Sequence, residues 1–128
     1  MARLKLKLQL YCGDEIAMGP GKADLLEAIA REGSLTRAAA SLGMSYRYAW
    51  LLVDDLKSSF SEPVTAATIG GKRGGGVELT PFGRELVKRY RAAYARIESA
   101  ARAEFAPLMK RARARAPKAR TRSIKRGR

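Results

Sequence analysis

The side chains that could do chemistry are concentrated in one short stretch of the chain. Ser45 is followed directly by Tyr46 and Arg47, and then by Tyr48 and Trp50. An arginine two residues after a serine cap can donate hydrogen bonds to a phosphate or a base edge, and the serine hydroxyl can also bond a phosphate. This group is typical of a surface that binds nucleic acid.

The composition offers little for catalysis. The chain has no histidine, the commonest general base, and its one cysteine is Cys12. A single cysteine cannot form an internal disulfide, and a zinc site of cysteine and histidine needs more ligands, so Cys12 is interpreted as a small apolar residue that ends a strand. No pair of carboxylates is placed for acid and base roles, and the GxxxxGK[ST] phosphate loop is absent. We therefore expect no enzyme, no bound cofactor and no metal site.

The sequence around these residues predicts two helices joined by a turn. Residues 34–42 form a short helix, Gly43 lies in the turn, and Ser45 caps a helix that runs to about Phe60. Ala39 is small because it lies where the two helices cross. The second helix is predicted to pack against the first through its apolar residues Ala49, Leu52 and Leu56.

This helix-turn-helix directs part of the 45–50 stretch outward, at the end of a recognition helix that meets base edges. The alternative is an ordinary three-helix cluster in which the tyrosines and the tryptophan are core residues. Trp50 fits either interpretation, whereas Arg47 favours contact with DNA.

A hairpin is predicted directly after the recognition helix. Residues 64–69 and 77–80 are short strand candidates, joined by the glycine-rich sequence GGKRGGG at 70–76. Lys72 and Arg73 lie at its tip, where a wing could bring them beside phosphates or a minor groove. A phosphate loop of an enzyme would instead open a helix, so the wing is the favoured interpretation.

The segments before the helix-turn-helix predict a strand, a turn region and a helix. Residues 3–10 alternate leucine with basic residues or glutamine, which predicts a half-buried strand. Residues 13–21 read as a turn region, and residues 20–32 as a first helix that stops at Gly33.

A long amphipathic helix is predicted to begin at Thr80 and Pro81, where threonine caps and proline takes the first helical position. Pro107 is expected to end or kink it. Apolar residues recur along it at spacings of three and four, at Tyr90, Tyr94, Ile97, Ala101, Phe105 and Leu108. One small domain would not fully cover this stripe, which predicts a homodimer.

The fold class predicted from these elements is mainly α with a small β wing. It is a winged helix-turn-helix with a long C-terminal dimerisation helix, formed by residues 1–109. Residues 110–128 are expected to be a basic, disordered tail.

Charge is distributed unevenly between these two parts. The 128 residues carry 26 basic and 12 acidic side chains, a net charge of +14. Residues 110–128 contain ten of the basic side chains and no acid, which leaves 16 basic and 12 acidic side chains in 1–109. A solvated tail without a partner is one interpretation, but this density of charge favours a polyanion partner.

Two families resemble this chain. The segment GSLTRAAASLGMS at 33–45 resembles the helix-turn-helix of LysR-type transcriptional regulators. A wider stretch, roughly 3–105, is similar to the N-terminal DNA-binding domain of molybdate-responsive regulators of the ModE type. The matching sequences are the leucine-alternating N-terminus, GPGKADLLEAI at 19–29, GMSYRYAW at 43–50, GGKRGGG at 70–76 and LTPFGRELVKRYR at 79–91.

The resemblance implies a winged-helix domain that dimerises largely through its long C-terminal helix. It also implies DNA contacts from the recognition helix and the wing, at Ser45, Tyr46, Arg47, Trp50, Lys72 and Arg73. Full-length members of the molybdate family carry further C-terminal domains that bind the oxyanion, whereas this chain ends in a basic tail. We therefore expect no molybdate sensing, and no small-molecule effector is evident.

The expected function is a dimeric transcriptional regulator that binds double-stranded DNA in the bacterial cytoplasm and nucleoid. An architectural DNA-binding protein with little sequence preference is the first alternative, and a module whose aromatic residues dock a partner protein is the second. No apolar run is long enough to span a bilayer, and the N-terminus lacks the apolar centre of a secretory signal, so no membrane role is expected.

Overall fold

The computed structural model describes residues 2–69 and 76–113. Most of this part is helical, with two short antiparallel hairpins, which confirms the predicted winged helix-turn-helix with a long C-terminal helix. The elements in chain order are β1 (Leu10–Cys12), β2 (Glu15–Met18), α1 (Pro20–Glu32), α2 (Leu35–Ser41), α3 (Tyr46–Ser59), β3 (Thr65–Thr68), β4 (Gly76–Leu79) and α4 (Pro81–Met109). No helix in these two ranges is both long enough and apolar enough to cross a bilayer.

The core lies where α1, α2 and α3 meet. Leu25, Leu26 and Ile29 form the stripe that the sequence predicts on α1, and all three are fully buried. The small residues Ala38 and Ala39 of α2 are buried against them, so the helices can approach closely. Burial of each large apolar side chain stabilises the fold by about 1.5–3 kcal/mol. Ala49 and Leu56 of α3 pack into the same core, and this packing fixes the position of α3.

The wing strands attach to the end of α1 by a close backbone contact. Gly33 ends α1 in the left-handed region, at φ 69°, and its carbonyl accepts a hydrogen bond of 3.1 Å from the Val77 backbone N–H. A Cβ at Gly76 would overlap that carbonyl, so only glycine fits at the start of β4. The β3–β4 register pairs Thr65 with Leu79 and Thr68 with Gly76.

The predicted strand over 3–10 is wrong, since strand pairing begins only at Leu10. The predicted alternation of burial is present over residues 4–8, where Leu4, Leu6 and Leu8 are half-buried and Lys5 and Lys7 are exposed. It does not reach Leu10, which is exposed. The Tyr94 and Tyr90 hydroxyls of α4 donate to the carbonyls of Leu6 and Leu8, at 3.1 and 2.7 Å. These carbonyls therefore accept hydrogen bonds from side-chain hydroxyls, whereas in a sheet they would accept them from the backbone N–H groups of a neighbouring strand.

The turn region predicted over 13–21 also needs correction. The tight turn is confined to Gly13 and Asp14, and residues 15–18 form β2, which pairs with β1. Gly13 has φ 63°, the conformation that such a short hairpin turn requires. The glycines and proline at 19–21 made the following helix start look like part of one long turn.

Helix α4 begins as predicted. The Thr80 hydroxyl accepts a hydrogen bond of 3.0 Å from the Gly83 backbone N–H, and Pro81 takes the first helical position. Pro107 does not end the helix, which continues to Met109. The first part of α4 packs on the domain, where Val87 is buried, and the exposed fraction rises towards the C-terminal end.

Candidate DNA interface

The first turn of α3 is fixed by its serine cap. Ser45 is extended at φ −71° and ψ 156°, and its hydroxyl accepts a hydrogen bond of 3.0 Å from the Tyr48 backbone N–H. Such a cap contributes about 1 kcal/mol to helix stability. The other backbone N–H groups of this first turn carry the partial positive charge of the helix start, which favours the binding of phosphate oxygens.

The turn between α2 and α3 holds the two helices at a defined angle. Gly43 adopts φ 68°, a conformation that residues with a side chain rarely adopt. The carbonyl of Ala39 accepts hydrogen bonds of 3.0 Å from both the Leu42 and Met44 backbone N–H groups. The positive φ predicted at Gly43 is therefore confirmed, and the Ala39 side chain is buried in the core.

One side of α3 is buried and sets which residues face outward. Ala49 and Leu56 are fully buried, and Leu52 and Val53 are half-buried against the core. All five residues predicted for this surface on α3 are exposed, namely Ser45, Tyr46, Arg47, Tyr48 and Trp50. The alternative in which the aromatic residues form a core is wrong, because Tyr46, Tyr48 and Trp50 keep about half of their surface accessible, at 54%, 52% and 48%.

Arg47 is available to an external partner. Among the described residues, no carboxylate lies within ion-pair distance of its guanidinium. Other arginines in this part of the chain are engaged, since Arg37 donates to the Glu32 carbonyl at 2.6 Å. Arg47 can therefore offer its planar set of donors to a phosphate or a guanine.

The second half of α3 carries negative charge. Asp54 is half-buried and Asp55 is exposed, where its carboxylate lies 3.7 Å from the buried ammonium group of Lys22. Lys22 also donates to the Ile16 carbonyl. Acidic side chains at this point repel DNA phosphates, so only the first two turns of α3 suit close approach to DNA.

Leu51 is a further surface residue of α3, which was not among the residues predicted from the sequence. It is 41% exposed and lies one helical turn beyond Arg47, next to Trp50. Its spacing from the buried residues was a usable signal. Leu51 is two residues after Ala49 and five before Leu56, which places it roughly opposite both on a helix with about 100° per residue.

A cleft of about 330 Å³ separates α3 from the wing strands. Trp50, Val53 and Lys57 line one side, and Thr65 and Ala66 of β3 lie on the other. The predicted wing residues Lys72 and Arg73 lie outside the described residues. Strands β3 and β4 hold the two ends of their loop beside this cleft.

The residues predicted for the dimer interface differ in how far their own chain covers them. Tyr90 is 7% exposed, and burial raises the pKa of its hydroxyl, so its own chain already covers it. Tyr94 is half-buried against the N-terminal segment, and Ala101 is also half-buried. Ile97 and Phe105 are exposed, at 42% and 47%.

An ion-pair network joins α4 to α1. Arg91 donates to Glu27 at 2.7 and 3.0 Å and to Asp24 at 2.7 Å. The hydrogen bond from Arg91 holds the pKa of Glu27 below its ordinary value, and the bond to Glu27 raises the pKa of Arg91. This network constrains the direction in which α4 leaves the helix-turn-helix.

Comparison with known proteins shows what this surface is similar to. Residues 22–84 match the bacterial regulatory helix-turn-helix protein family of the LysR type. Molybdenum transport protein ModE of Azotobacter vinelandii is 42% identical over 84 residues, or 66% of this chain and 31% of that protein. Molybdenum-pterin-binding protein MopB of Rhodobacter capsulatus is 44% identical over 73 residues, or 57% of this chain and 27% of that protein.

A third relative is named for its action on DNA. The DNA-binding transcriptional dual regulator ModE of Escherichia coli K12 is 33% identical over 87 residues, 68% of this chain and 32% of that protein. The chain thus spans about a third of the length of the curated relatives it matches. The capped, outward-facing α3 agrees with these matches, which give residues 22–84 a helix-turn-helix of the kind found in the LysR family of bacterial regulatory proteins.

Proposed function

We propose that this chain is a dimeric, sequence-specific transcriptional regulator that places α3 in the major groove of double-stranded DNA. The observation that carries the proposal is the exposed first turn of α3, where Ser45 caps the helix and Arg47 has no acidic partner among the described residues. The named likeness to a transcriptional dual regulator supports the regulatory part of the proposal.

The side chains of the first turn divide into reading and positioning roles. Arg47 reads a base, because its guanidinium can form two hydrogen bonds to a guanine. The hydroxyls of Ser45, Tyr46 and Tyr48 donate hydrogen bonds to phosphates on either side of the groove. These bonds fix how deeply α3 enters the major groove. Trp50 lies on the side of α3 that faces the wing, where its ring would pack on a deoxyribose or its indole N–H would donate to a phosphate.

Lys72 and Arg73 complete the proposed interface from the wing. Strand β3 ends at Thr68 and β4 begins at Gly76, and Gly76 lines the cleft next to α3. A pair of basic side chains at that loop would contact phosphates or enter the minor groove. Their contribution would add affinity to every DNA sequence unless the wing meets a narrow minor groove.

Dimerisation is proposed to occur through the later part of α4. The exposed apolar residues there are Ile97, Phe105 and Leu108, and Ala101 lies between them on the same stripe. Two copies that cover this stripe would present two α3 helices to half-sites about 34–36 Å apart, one turn of DNA. Tyr90 is left out of this face because its own chain buries it.

An architectural protein with little sequence preference is the second candidate. The ten basic side chains in 110–128 favour it, since they can neutralise phosphates without reading bases. The match to the helix-turn-helix at 22–84 supports DNA binding by either candidate, because it does not by itself distinguish a regulator from an architectural protein.

Selection of bound sequences from a random duplex library at near-physiological salt tests the proposal. A regulator enriches one motif with two related halves and binds it at least about 10³-fold more tightly than a scrambled duplex. An architectural protein enriches no motif and binds both duplexes alike. Light scattering at tens of micromolar, with and without DNA, tests the dimer, and a monomer mass in both cases would contradict it.

A further inference from the structure

Leu51 is an apolar side chain on the face of α3 that the proposed function turns towards DNA. The core is formed from the opposite side of the helix, by Ala49 and Leu56, so packing within the domain does not account for a leucine here. With 41% of its surface left accessible by the described residues, Leu51 has apolar area that an external group can cover.

The position of Leu51 along α3 places it within the reach of the groove. It lies in the second turn, before Asp54 and Asp55, whose carboxylates keep the following turn away from phosphates. Arg47 precedes it by four residues, so the two side chains project from the same face of the helix. A helix inserted as far as Arg47 therefore carries Leu51 with it.

The major groove offers few partners to an aliphatic side chain. Base edges there present hydrogen-bond donors and acceptors, and the apolar exception is the 5-methyl group of thymine. Four residues of helix span about 6 Å, which is close to two base steps of about 3.4 Å. We propose that Leu51 recognises the 5-methyl group of a thymine one or two base pairs from the base read by Arg47.

The inference rests on the proposed function, and its test removes a single methyl group. Each thymine of the selected site is replaced in turn by deoxyuridine, which keeps every hydrogen bond and lacks only the methyl. For the unchanged protein, one position in each half-site should weaken binding about fourfold, the effect of exposing one methyl group. The other thymines should show no such change.

The matched variants are Leu51→Ala and Leu10→Ala. Leu51→Ala should bind the thymine site more weakly and should no longer distinguish thymine from deoxyuridine at the sensitive position. Leu10 is a leucine of β1 with a comparable exposed fraction, 53%, so Leu10→Ala controls for the loss of an exposed leucine. It should keep the full fourfold preference. Thermal unfolding of all three proteins verifies that each is folded.

Each outcome decides between the two levels of the proposal. Failure to enrich any motif overturns the proposed function and the role of Leu51 with it. A motif that depends on Arg47, combined with a thymine preference that Leu51→Ala leaves intact, overturns only the role of Leu51. If the unchanged protein shows no preference for thymine over deoxyuridine at any position, the role of Leu51 is likewise overturned. Loss of the preference in Leu51→Ala alone supports the proposal.

Discussion

Replacing Arg47 with alanine separates reading of sequence from attraction to DNA. Arg47 is exposed and makes no ion pair among the described residues, so Arg47→Ala removes no interaction that holds the fold. Alanine is a good helix former, and the Ser45 cap accepts from the Tyr48 backbone N–H, which the change leaves in place. We expect the free energy of unfolding to change by less than about 0.5 kcal/mol.

The magnitude of the binding effect follows from the two hydrogen bonds that the guanidinium would donate to a guanine. A bidentate arginine–guanine pair contributes about 1–3 kcal/mol of discrimination, which is roughly 5- to 150-fold for one half-site. In a dimer the pair disappears from both half-sites, so the preference for the selected site over a scrambled one should fall by about 2–6 kcal/mol. Non-specific affinity should change little.

Fluorescence anisotropy at several salt concentrations measures both quantities on the selected and the scrambled duplex. The matched control is Lys57→Ala, which removes an equal charge from the exposed last turn of the same helix. It should keep the preference for the selected site. For Arg47→Ala, the slope of log K against log salt should change by about one unit or less for each arginine removed from the complex. Equal weakening on both duplexes would refute the assignment of Arg47 as a base-reading residue.

Three further changes test other parts of the molecule. Deleting residues 110–128 removes ten cationic side chains, so we expect weaker binding to all duplexes alike and a flatter salt dependence in the same titration. Arg91→Met should lower stability by about 1 kcal/mol or less, because the ion pairs are partly exposed. Folding lowers the pKa of Glu27, so this stabilisation is present above the ordinary value of 4.5 and is lost as pH falls through the lowered value. Thermal melts of both proteins should therefore converge below pH 4.5, and a difference that grows there would contradict the network. Phe105→Glu should give monomers in analytical ultracentrifugation, whereas Ala103→Glu, on another side of α4, should leave the dimer intact.

The helix-turn-helix could be predicted because its determinants are local. Helical spacing of apolar residues marked α1 and α3, and serine, threonine and glycine marked their ends. The exposed first turn of α3 followed from the same spacing, since Ala49 and Leu56 had to face the core. Leu51 could have been assigned in this way as well.

The N-terminal segment could not be predicted because its partners are distant in the sequence. Its alternation gave the correct pattern of burial over residues 4–8, but the hydroxyls of Tyr90 and Tyr94, more than 80 residues away, decide which groups the carbonyls of Leu6 and Leu8 bond. The same tyrosines looked like dimer residues, since a stripe of apolar residues does not show which part the chain itself covers. The strand Glu15–Met18 was hidden beside the turn residues that follow it.

The bonds of Arg91 to Glu27 and Asp24 have a consequence for the length of the DNA site. One guanidinium bonds α4 to α1, so it helps to fix the angle between α4, the proposed dimerisation helix, and α3, the proposed recognition helix. In the proposed dimer, that angle determines how far apart the two α3 helices lie along the DNA axis. A change at Arg91 would therefore alter the preferred spacer between half-sites while the bases recognised in each half stay the same. In the proposed dimer, the spacing of a binding site and its sequence would in this way be controlled by different residues.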